Sequence, residues 1–351
     1  MDTVVLLSGG VDSAVALALL CRLDPRPRAA IYLKIWLEDE VAYLGDCPWE
    51  TDLGHARAVC RQLAVPLEVV PLQTEYREQV VEAALSELRR GRTPTPDVWC
   101  NRRIKFGALT RYLGGAPTAI ATGHYARVEP WAGRVRLGRG LDPVKDQTYF
   151  LSRLTQEQLR QAQFPVGHLL KEEVRELATR LGLSNHDRPD SQGICFLGKV
   201  PYREFVRFHL GERCGPIRQA GSDRLLGQHR GHWFHTIGQR FGLGLGGGPW
   251  FIVRKDPEAN VLWVSHQREA GPVARRDFHV NDVHWIDSPP AGPAVQVRLR
   301  HTPELWSCGL TPAAGDVWEV VLSQPDAGIA AGQHAVFYDG PYCLGSGVIC
   351  D

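Results

Sequence analysis

The stretch that decides the fold is Val4-Val5-Leu6-Leu7-Ser8-Gly9-Gly10-Val11-Asp12-Ser13. Its apolar run, Val4 to Leu7, reads as a buried strand, the glycine pair as a sharp turn, and Asp12 to Arg22 as a helix. Gly9 and Gly10 let the backbone approach an anion closely and tolerate positive φ. Open N–H groups in such a turn, with a helix N-terminus behind them, favour a pyrophosphate. Ser8 and Ser13 add hydroxyl donors, and Asp12 is placed either to orient a backbone amide or to hold Mg²⁺ through water. No Gly-Lys-Ser/Thr follows, so this is not a Walker A loop, and it is not GxGxxG. A bare glycine pair at a strand–helix turn is as readily structural; the full six-residue string in the first such turn tips the reading to phosphate.

Working outward, strand and helix patterns alternate. Ala29 to Trp36 and Leu67 to Leu72 read as strands, and Thr51 to Leu63 carries apolar residues at helical spacing. Glu75 to Arg90 and Ile104 to Leu113 read as helices, and Thr118 to Ala121 as a strand running into Thr122-Gly123-His124. A helix from Lys171 to Leu181 closes at Gly182. This alternation predicts an α/β fold, a doubly wound parallel sheet with ligands bound beyond the carboxyl ends of its strands. After about Pro201 glycine, proline and tryptophan become frequent, and short alternating runs appear at Val295 to Leu299, Val317 to Leu322 and Ala335 to Tyr338. We expect a catalytic domain over 1–204, a small β-rich middle domain over 205–272 and a β-barrel domain over 273–351.

Composition narrows the class. The 351 residues are 23% charged with a formal net charge of +1, which argues against disorder and against nucleic-acid binding driven by bulk charge, while leaving local basic patches. The apolar start is too short for a signal h-region or a membrane span and lacks a basic flank, so a cytoplasmic enzyme with no membrane partner is expected. Nine cysteines, an odd number without CxxC or zinc-like spacing, read as reduced thiols. Cys21, Cys60, Cys308 and Cys343 are assigned to packing, and Cys47, beside Asp46 and Pro48, to an exposed loop.

Two cysteines stand in distinctive surroundings. Cys100 ends Gly91-Arg92-Thr93-Pro94-Thr95-Pro96-Asp97-Val98-Trp99-Cys100, and Cys195 lies in Asp190-Ser191-Gln192-Gly193-Ile194-Cys195-Phe196. Asp97 shares a helical face with Cys100. The cations Arg102, Arg103 and Lys105 favour a thiolate at Cys100, and the carboxylate opposes it. Ile194-Cys195-Phe196 taken alone fits a core strand.

The Ser8–Ser13 string resembles that of the ATP pyrophosphatase (PP-loop) superfamily, whose members cleave ATP between the α- and β-phosphates and place AMP on a carbonyl oxygen. The resemblance implies ATP with Mg²⁺ at Leu6, Leu7, Ser8, Gly9, Gly10, Val11, Asp12 and Ser13, with Leu33 and Gly123 near the adenosine. Over nearly the whole chain the sequence is similar to the tRNA-specific 2-thiouridylases. The matches are Gly91-Arg92-Thr93-Pro94, Pro96-Asp97, Cys100-Asn101, Ala121-Thr122-Gly123-His124-Tyr125, Lys145-Asp146-Gln147 and Gly193-Ile194-Cys195-Phe196. Further on come Thr236-Ile237-Gly238-Gln239-Arg240, Gly242-Leu243-Gly244 and Ala335-Val336-Phe337-Tyr338-Asp339-Gly340. Thr95 departs from the family's asparagine, keeping a hydroxyl and losing an amide.

That resemblance implies 2-thiolation of the wobble uridine (U34) of tRNA. AMP on the C2 oxygen makes it a good leaving group. A Cys195 persulfide, charged by a sulfur-relay or cysteine desulfurase protein, supplies the sulfur, and Cys100 resolves it to a Cys100–Cys195 disulfide. Asp97 serves as acid/base or positions the uracil. Thr95, Pro96 and Asp97 then face the target base, and Lys145, Asp146, Gln147, Arg300 and His301 contact the anticodon stem-loop. Other basic runs, Arg89-Arg90-Gly91-Arg92, Arg102-Arg103 and Arg298-Leu299-Arg300-His301, read first as solvated surface. His124 reads as a hydrogen-bonded histidine lining the nucleotide site, with a catalytic base as the alternative. Three further alternatives stay open. One is a [4Fe-4S] cluster at Cys100, Cys195 and Asp97, although four cysteines are the usual set. The others are an amide-forming ligase on a small acid and a catalytically silent tRNA-binding protein.

Overall fold

The computed structural model describes residues 2–35, 48–114, 118–190, 201–266 and 274–350. Cys195, with the Cys100–Cys195 pairing, and Cys47 lie outside these residues.

A five-stranded sheet is built from β1 (Asp2–Leu6), β2 (Ala29–Lys34), β3 (Leu67–Pro71), β4 (Thr118–Ala121) and, beyond a hairpin, the two-residue β7 (Ala162–Gln163). Its order is β3-β2-β1-β4-β7 and every pairing is parallel. The continuous apolar run of β1 follows from burial on both faces. Val5 and Leu7 pack into one core with the helices Val11–Leu20, Pro48–Leu63 and Lys171–Arg180. Val4 and Leu6 pack into the other, against helical segments between Gln73 and Tyr112. The sheet is therefore doubly wound, with β1 and its following turn at the centre.

Two helical runs are not plain α-helices. Arg77–Val81 forms a π-turn within the first run, and Cys100–Ala108 is π-helical between Pro96–Trp99 and Leu109–Tyr112. The hairpin of β5 (Ala126–Trp131) and β6 (Arg134–Arg139), which the sequence reading passed over, leaves the parallel sheet altogether.

Helix Tyr202–Leu210 spans the expected 204/205 boundary and buries Phe205 and Val206 in the first core. The middle sheet follows, with β8 (Gly215–Gln219), β9 (Leu225–His229), β10 (Trp250–Asp256) and β11 (Val261–His266) in the order β10-β11-β8-β9. The remaining strands are β12 (Arg275–Trp285), β13 (Ala294–Arg298), β14 (Trp306–Pro312), β15 (Trp318–Asp326), β16 (His334–Asp339) and β17 (Tyr342–Ile349). They run β12-β15-β14-β13-β16-β17, and a β12–β17 pairing closes them into a six-stranded barrel. β17 also pairs with β6, so the hairpin extends the barrel's sheet and fastens it to the parallel-sheet domain. Val336, Tyr338 and Cys343 of the barrel accordingly belong to the first core. No helix among the described residues is long and apolar enough to cross a membrane.

Several histidines are enclosed by this packing. Burial lowers His124 well below the ordinary imidazole value, His235 to about 4 and His334 to about 3, and lowers His229 and His232 as well. Below about pH 6.5 an unfolded chain protonates these rings while the folded chain does not, so the unfolded state binds more protons. Stability should therefore fall as pH drops from about 6.5 toward 4. Urea-denaturation midpoints at pH 7.5, 6.0 and 5.0 check this, and equal midpoints would contradict it.

Candidate functional site

The turn after β1 is shaped by its own hydroxyls. Ser13 Oγ donates to the Gly10 carbonyl at 3.0 Å and accepts the Ser8 amide at 3.2 Å. Gly9 alone takes positive φ, +81°, and a side chain there would strike the Asp52 carbonyl. Gly10 sits at φ −77°, so the expectation of positive φ at both glycines holds only for Gly9. Gly10 is the N-cap of helix Val11–Leu20, and no side chain caps that helix. Its first-turn N–H groups are left for an anion.

Asp12, in the first turn, does not orient a backbone amide. Its Oδ1 accepts from Lys171 Nζ at 2.6 Å and from the Tyr125 hydroxyl at 2.9 Å. Lys171 also reaches Asp190 at 2.8 Å, and Asp190 takes Lys145 at 2.8 Å and Arg175 at 2.5 Å. Burial alone would raise the Asp190 carboxyl, but the Lys145 and Lys171 ammonium groups hold it well below the ordinary carboxylate range. Burial and then Asp12 push the Tyr125 phenol far up, so it stays a donor. Asn185, fully buried, donates to the Gly9 carbonyl at 2.8 Å, and Arg188 pairs with Asp52 behind the loop. None of Lys171, Tyr125, Asp190 or Asn185 was singled out in the sequence as part of the site, because their common link is spatial.

A cavity of about 340 Å³ opens at the carboxyl ends of β1, β2 and β4. Leu6, Leu7, Ser8, Gly10, Val11, Asp12, Ser13, Leu33 and Gly123 line it, as do Cys100, Lys105, His124, Lys145 and Gln147. All the expected nucleotide residues except Gly9, together with one expected reactive cysteine, thus share one space. A Cβ on Gly123 would lie 2.6 Å from the Ser13 amide nitrogen, so only glycine lets β4 approach the loop this closely. His124 Nδ1 lies 2.6 Å from Thr122 Oγ1, and burial, reinforced by Lys105, keeps the ring neutral. That environment matches a lining residue and not a base that must take up a proton.

Cys100 is 1% exposed and begins the π-helical stretch directly after Pro96–Trp99, with Asp97 one turn before it. Asn101 Nδ2 donates to the Phe150 carbonyl at 3.1 Å. Thr95 Oγ1 is buried without a hydrogen bond of good geometry, and the Tyr149 hydroxyl nearby donates to the His334 carbonyl at 3.0 Å. Pro96 is buried. Among the described residues no three His, Cys, Asp or Glu side chains group as a metal site. The four thiolates usual for an iron–sulfur cluster are not assembled around Cys100 by those residues.

The expected nucleic-acid residues divide. Lys145 and Gln147 face the cavity, and Gln147 Oε1 holds the Tyr125 amide at 3.0 Å. Arg300 and His301 lie exposed after β13, with Arg300 paired to Asp326 at 2.9 Å. The Asp146 side chain does not reach the surface of this structure. It is 1% exposed, and its carboxylate accepts Arg298 Nη1 at 2.9 Å, Arg139 Nε at 3.1 Å, Thr148 Oγ1 at 2.8 Å and the Gly140 amide at 3.2 Å. Arg298 is likewise buried and leaves the basic run in which it stands. Cys60, Cys308 and Cys343 are buried as expected, and burial raises the Cys60 thiol to about 11 and the Cys308 thiol to about 12.

Because Gly123 is set by that close approach, Gly123→Ala should displace the phosphate loop. We expect ATP affinity to fall at least tenfold, about 1.4 kcal/mol, with a far smaller change in tRNA affinity. Parallel titrations of the variant with each ligand check this, and unchanged ATP affinity would refute the assignment of Gly123.

The chain matches three family models in succession. These are the tRNA methyl transferase HUP domain over residues 1–199, the tRNA methyl transferase PRC-barrel domain over 203–266 and the aminomethyltransferase beta-barrel domain over 275–349. It is 44% identical over 356 residues to tRNA-specific 2-thiouridylase MnmA 1 of Bacteroides thetaiotaomicron, covering 99% of each chain. It is 42% identical over 360 residues to tRNA-specific 2-thiouridylase MnmA of Porphyromonas gingivalis, again covering 99% of each. At such identity over the whole length, with an uncapped phosphate loop and Cys100 in one cavity, the chain belongs to the tRNA-specific 2-thiouridylase family.

Proposed function

We propose that this enzyme is an ATP-dependent tRNA 2-thiouridylase that adenylates the C2 oxygen of the wobble uridine and replaces it with persulfide sulfur. The observation that carries the reading is the single cavity in which the phosphate loop and Cys100 face the same space. A ligase using ammonia would have no need of a thiol there.

The uncapped first turn of helix Val11–Leu20 and the Ser8 and Ser13 hydroxyls would bind the polyphosphate of ATP, with Mg²⁺ drawn to Asp12. Leu33 and Gly123 would border the adenosine. Uridine O2 attacks the α-phosphorus and pyrophosphate leaves, so the C2–O bond now ends in AMP. The terminal sulfur of a Cys195 persulfide attacks C2 and AMP departs with the bonding pair. The Cys100 thiolate then attacks Sγ of Cys195, releasing the sulfur on C2 as the thiocarbonyl and leaving a Cys100–Cys195 disulfide. A thiol reductant supplies the two electrons that reset it. Asp97 positions the uracil, Thr95 and Pro96 flank the base, and the base is drawn out of its stack to arrive there. Lys145, Gln147, Arg300 and His301 hold the anticodon stem-loop, and a persulfide-bearing relay or desulfurase protein recharges Cys195.

With ATP, Mg²⁺, a persulfide donor and unmodified tRNA, the protein should release AMP and pyrophosphate and yield 2-thiouridine in a nucleoside digest. Cys195→Ala should abolish 2-thiouridine and retain tRNA-dependent pyrophosphate release; full thiolation by that variant would overturn the persulfide assignment. Thiolation that stops on strict removal of iron, with the thiols kept reduced, would move the sulfur chemistry to a cluster.

A further inference from the structure

The buried Asp146–Arg298 pair joins two regions that the proposed reaction uses separately. Arg298 is the last residue of β13 and lies two residues before Arg300. It is 1% exposed, and its Nε and Nη2 have no hydrogen-bond partner, so Asp146 is its one ionic anchor among the described residues. His301 Nε2 donates to the Asp146 carbonyl at 3.1 Å, which ties the same barrel segment to the same loop a second time. The His301 ring also lies 4.4 Å from the Phe150 ring, and the Phe150 carbonyl receives Asn101, the neighbour of Cys100.

From Asp146 the connection runs into the nucleotide cavity without a gap. The adjacent Lys145 holds Asp190, Asp190 holds Lys171, and Lys171 holds Asp12 in the first turn of the phosphate-binding helix. On the other side of Asp146, Gln147 fixes Tyr125, whose hydroxyl donates to the same Asp12 oxygen. A shift of the Arg298–His301 segment by a fraction of an ångström must therefore move Lys145 and Gln147 together or break a buried, charge-assisted hydrogen bond. The second course is costly in a low-dielectric interior.

We propose that Arg298 is a positioning residue that couples tRNA occupancy at Arg300-His301 to the nucleotide cavity through Asp146. This rests on the reading of the enzyme as one that binds tRNA and ATP together. Arg298 touches neither ligand; it fixes the loop that carries Lys145 and Gln147.

The test uses the full chain, unmodified tRNA and α,β-methylene ATP, which cannot be cleaved at the reacting bond. Saturating tRNA should tighten binding of the analogue by about tenfold, within the usual range for coupled sites, and the analogue should tighten tRNA binding by the same factor. Arg298→Gln keeps a neutral donor toward Asp146, and Arg139 still neutralises the carboxylate, so this variant should fold. Its coupling factor should fall to about one, while the affinity for the analogue alone stays within about threefold. Arg298→Lys, which restores a cation at that place, should regain part of the coupling. A purely structural Arg298 would lower the melting temperature and leave the ratio unchanged. A wild-type factor of one, or a full factor in folded Arg298→Gln, overturns the proposal. Intact coupling in a wild-type protein that makes no 2-thiouridine would count against the sulfur-transfer reading instead.

Discussion

Helix Val11–Leu20 leaves its first-turn N–H groups without a side-chain cap, and the surrounding parts of the molecule are arranged around that open end. In most helices a side chain of the N-cap residue satisfies one of those donors. Here Gly10 holds the N-cap and offers no side chain, and the neighbouring hydroxyls of Ser8 and Ser13 bond to the loop and to each other. The uncapped end demands support from outside: Asn185 on the Gly9 carbonyl, Asp52 behind Gly9, and Gly123 close against the Ser13 amide. Asp12 places a negative charge at that open helix end. Lys171 and Tyr125 engage that carboxylate, so the net field at the loop is not left repulsive.

The parts of this arrangement that could be read in the sequence are those encoded within one or two turns of chain. The β1 strand, its glycine turn and its helix are contiguous, and burial on both faces of β1 leaves an unbroken apolar run. Gly123 was visible because a strand pattern ended on it. The hairpin Ala126–Trp131 and Arg134–Arg139 was missed because its strands alternate only weakly. Val128 is half-buried among charged neighbours, and β6 also pairs with β17, a partner that the local pattern does not show. The helical reading around Cys100 had the right element with the wrong pitch. A period of 3.6 places Asp97 and Cys100 on one face, but the chain becomes π-helical from Cys100 onward, which turns Lys105 into the cavity.

Charge runs were the least legible feature, since sign alone does not say whether a residue faces water. Asp146 and Arg298 look like surface residues in sequence and are among the most enclosed charges in the molecule. Taking two ions out of water carries a large desolvation cost, and an apolar pair of similar volume often serves stability as well or better. What an ion pair adds is direction. The barrel meets the parallel-sheet layer through the short β6–β17 pairing, Tyr342 with Gly138 and Cys343 with Leu137, through a shared core, and through bonds such as Tyr149 to the His334 carbonyl and Arg153 to Asp282. Among these contacts the buried Asp146 carboxylate, which accepts five donors from four residues, adds a charged and strongly directional constraint.

The same accounting bears on how a chain with a formal net charge of +1 holds a polyanion. Many of its cations are already committed: Arg90 and Arg92 to Glu87, Arg103 to the Gln79 carbonyl, Arg300 to Asp326, Lys145 to Asp190. Binding that depended on a broad positive field would need those charges free. The arrangement suits a few pre-oriented cations whose acidic partners are fixed to the protein and hold them in place while RNA is absent. In the proposed reading, Arg300 and Lys145 would reach phosphate or base edges by exchanging one anion for another, which costs less ordering than recruiting a mobile side chain from water. Few counterions are displaced in such an exchange, so on that reading affinity would depend only shallowly on salt, and discrimination would rest on the shape of the RNA loop and the base it presents.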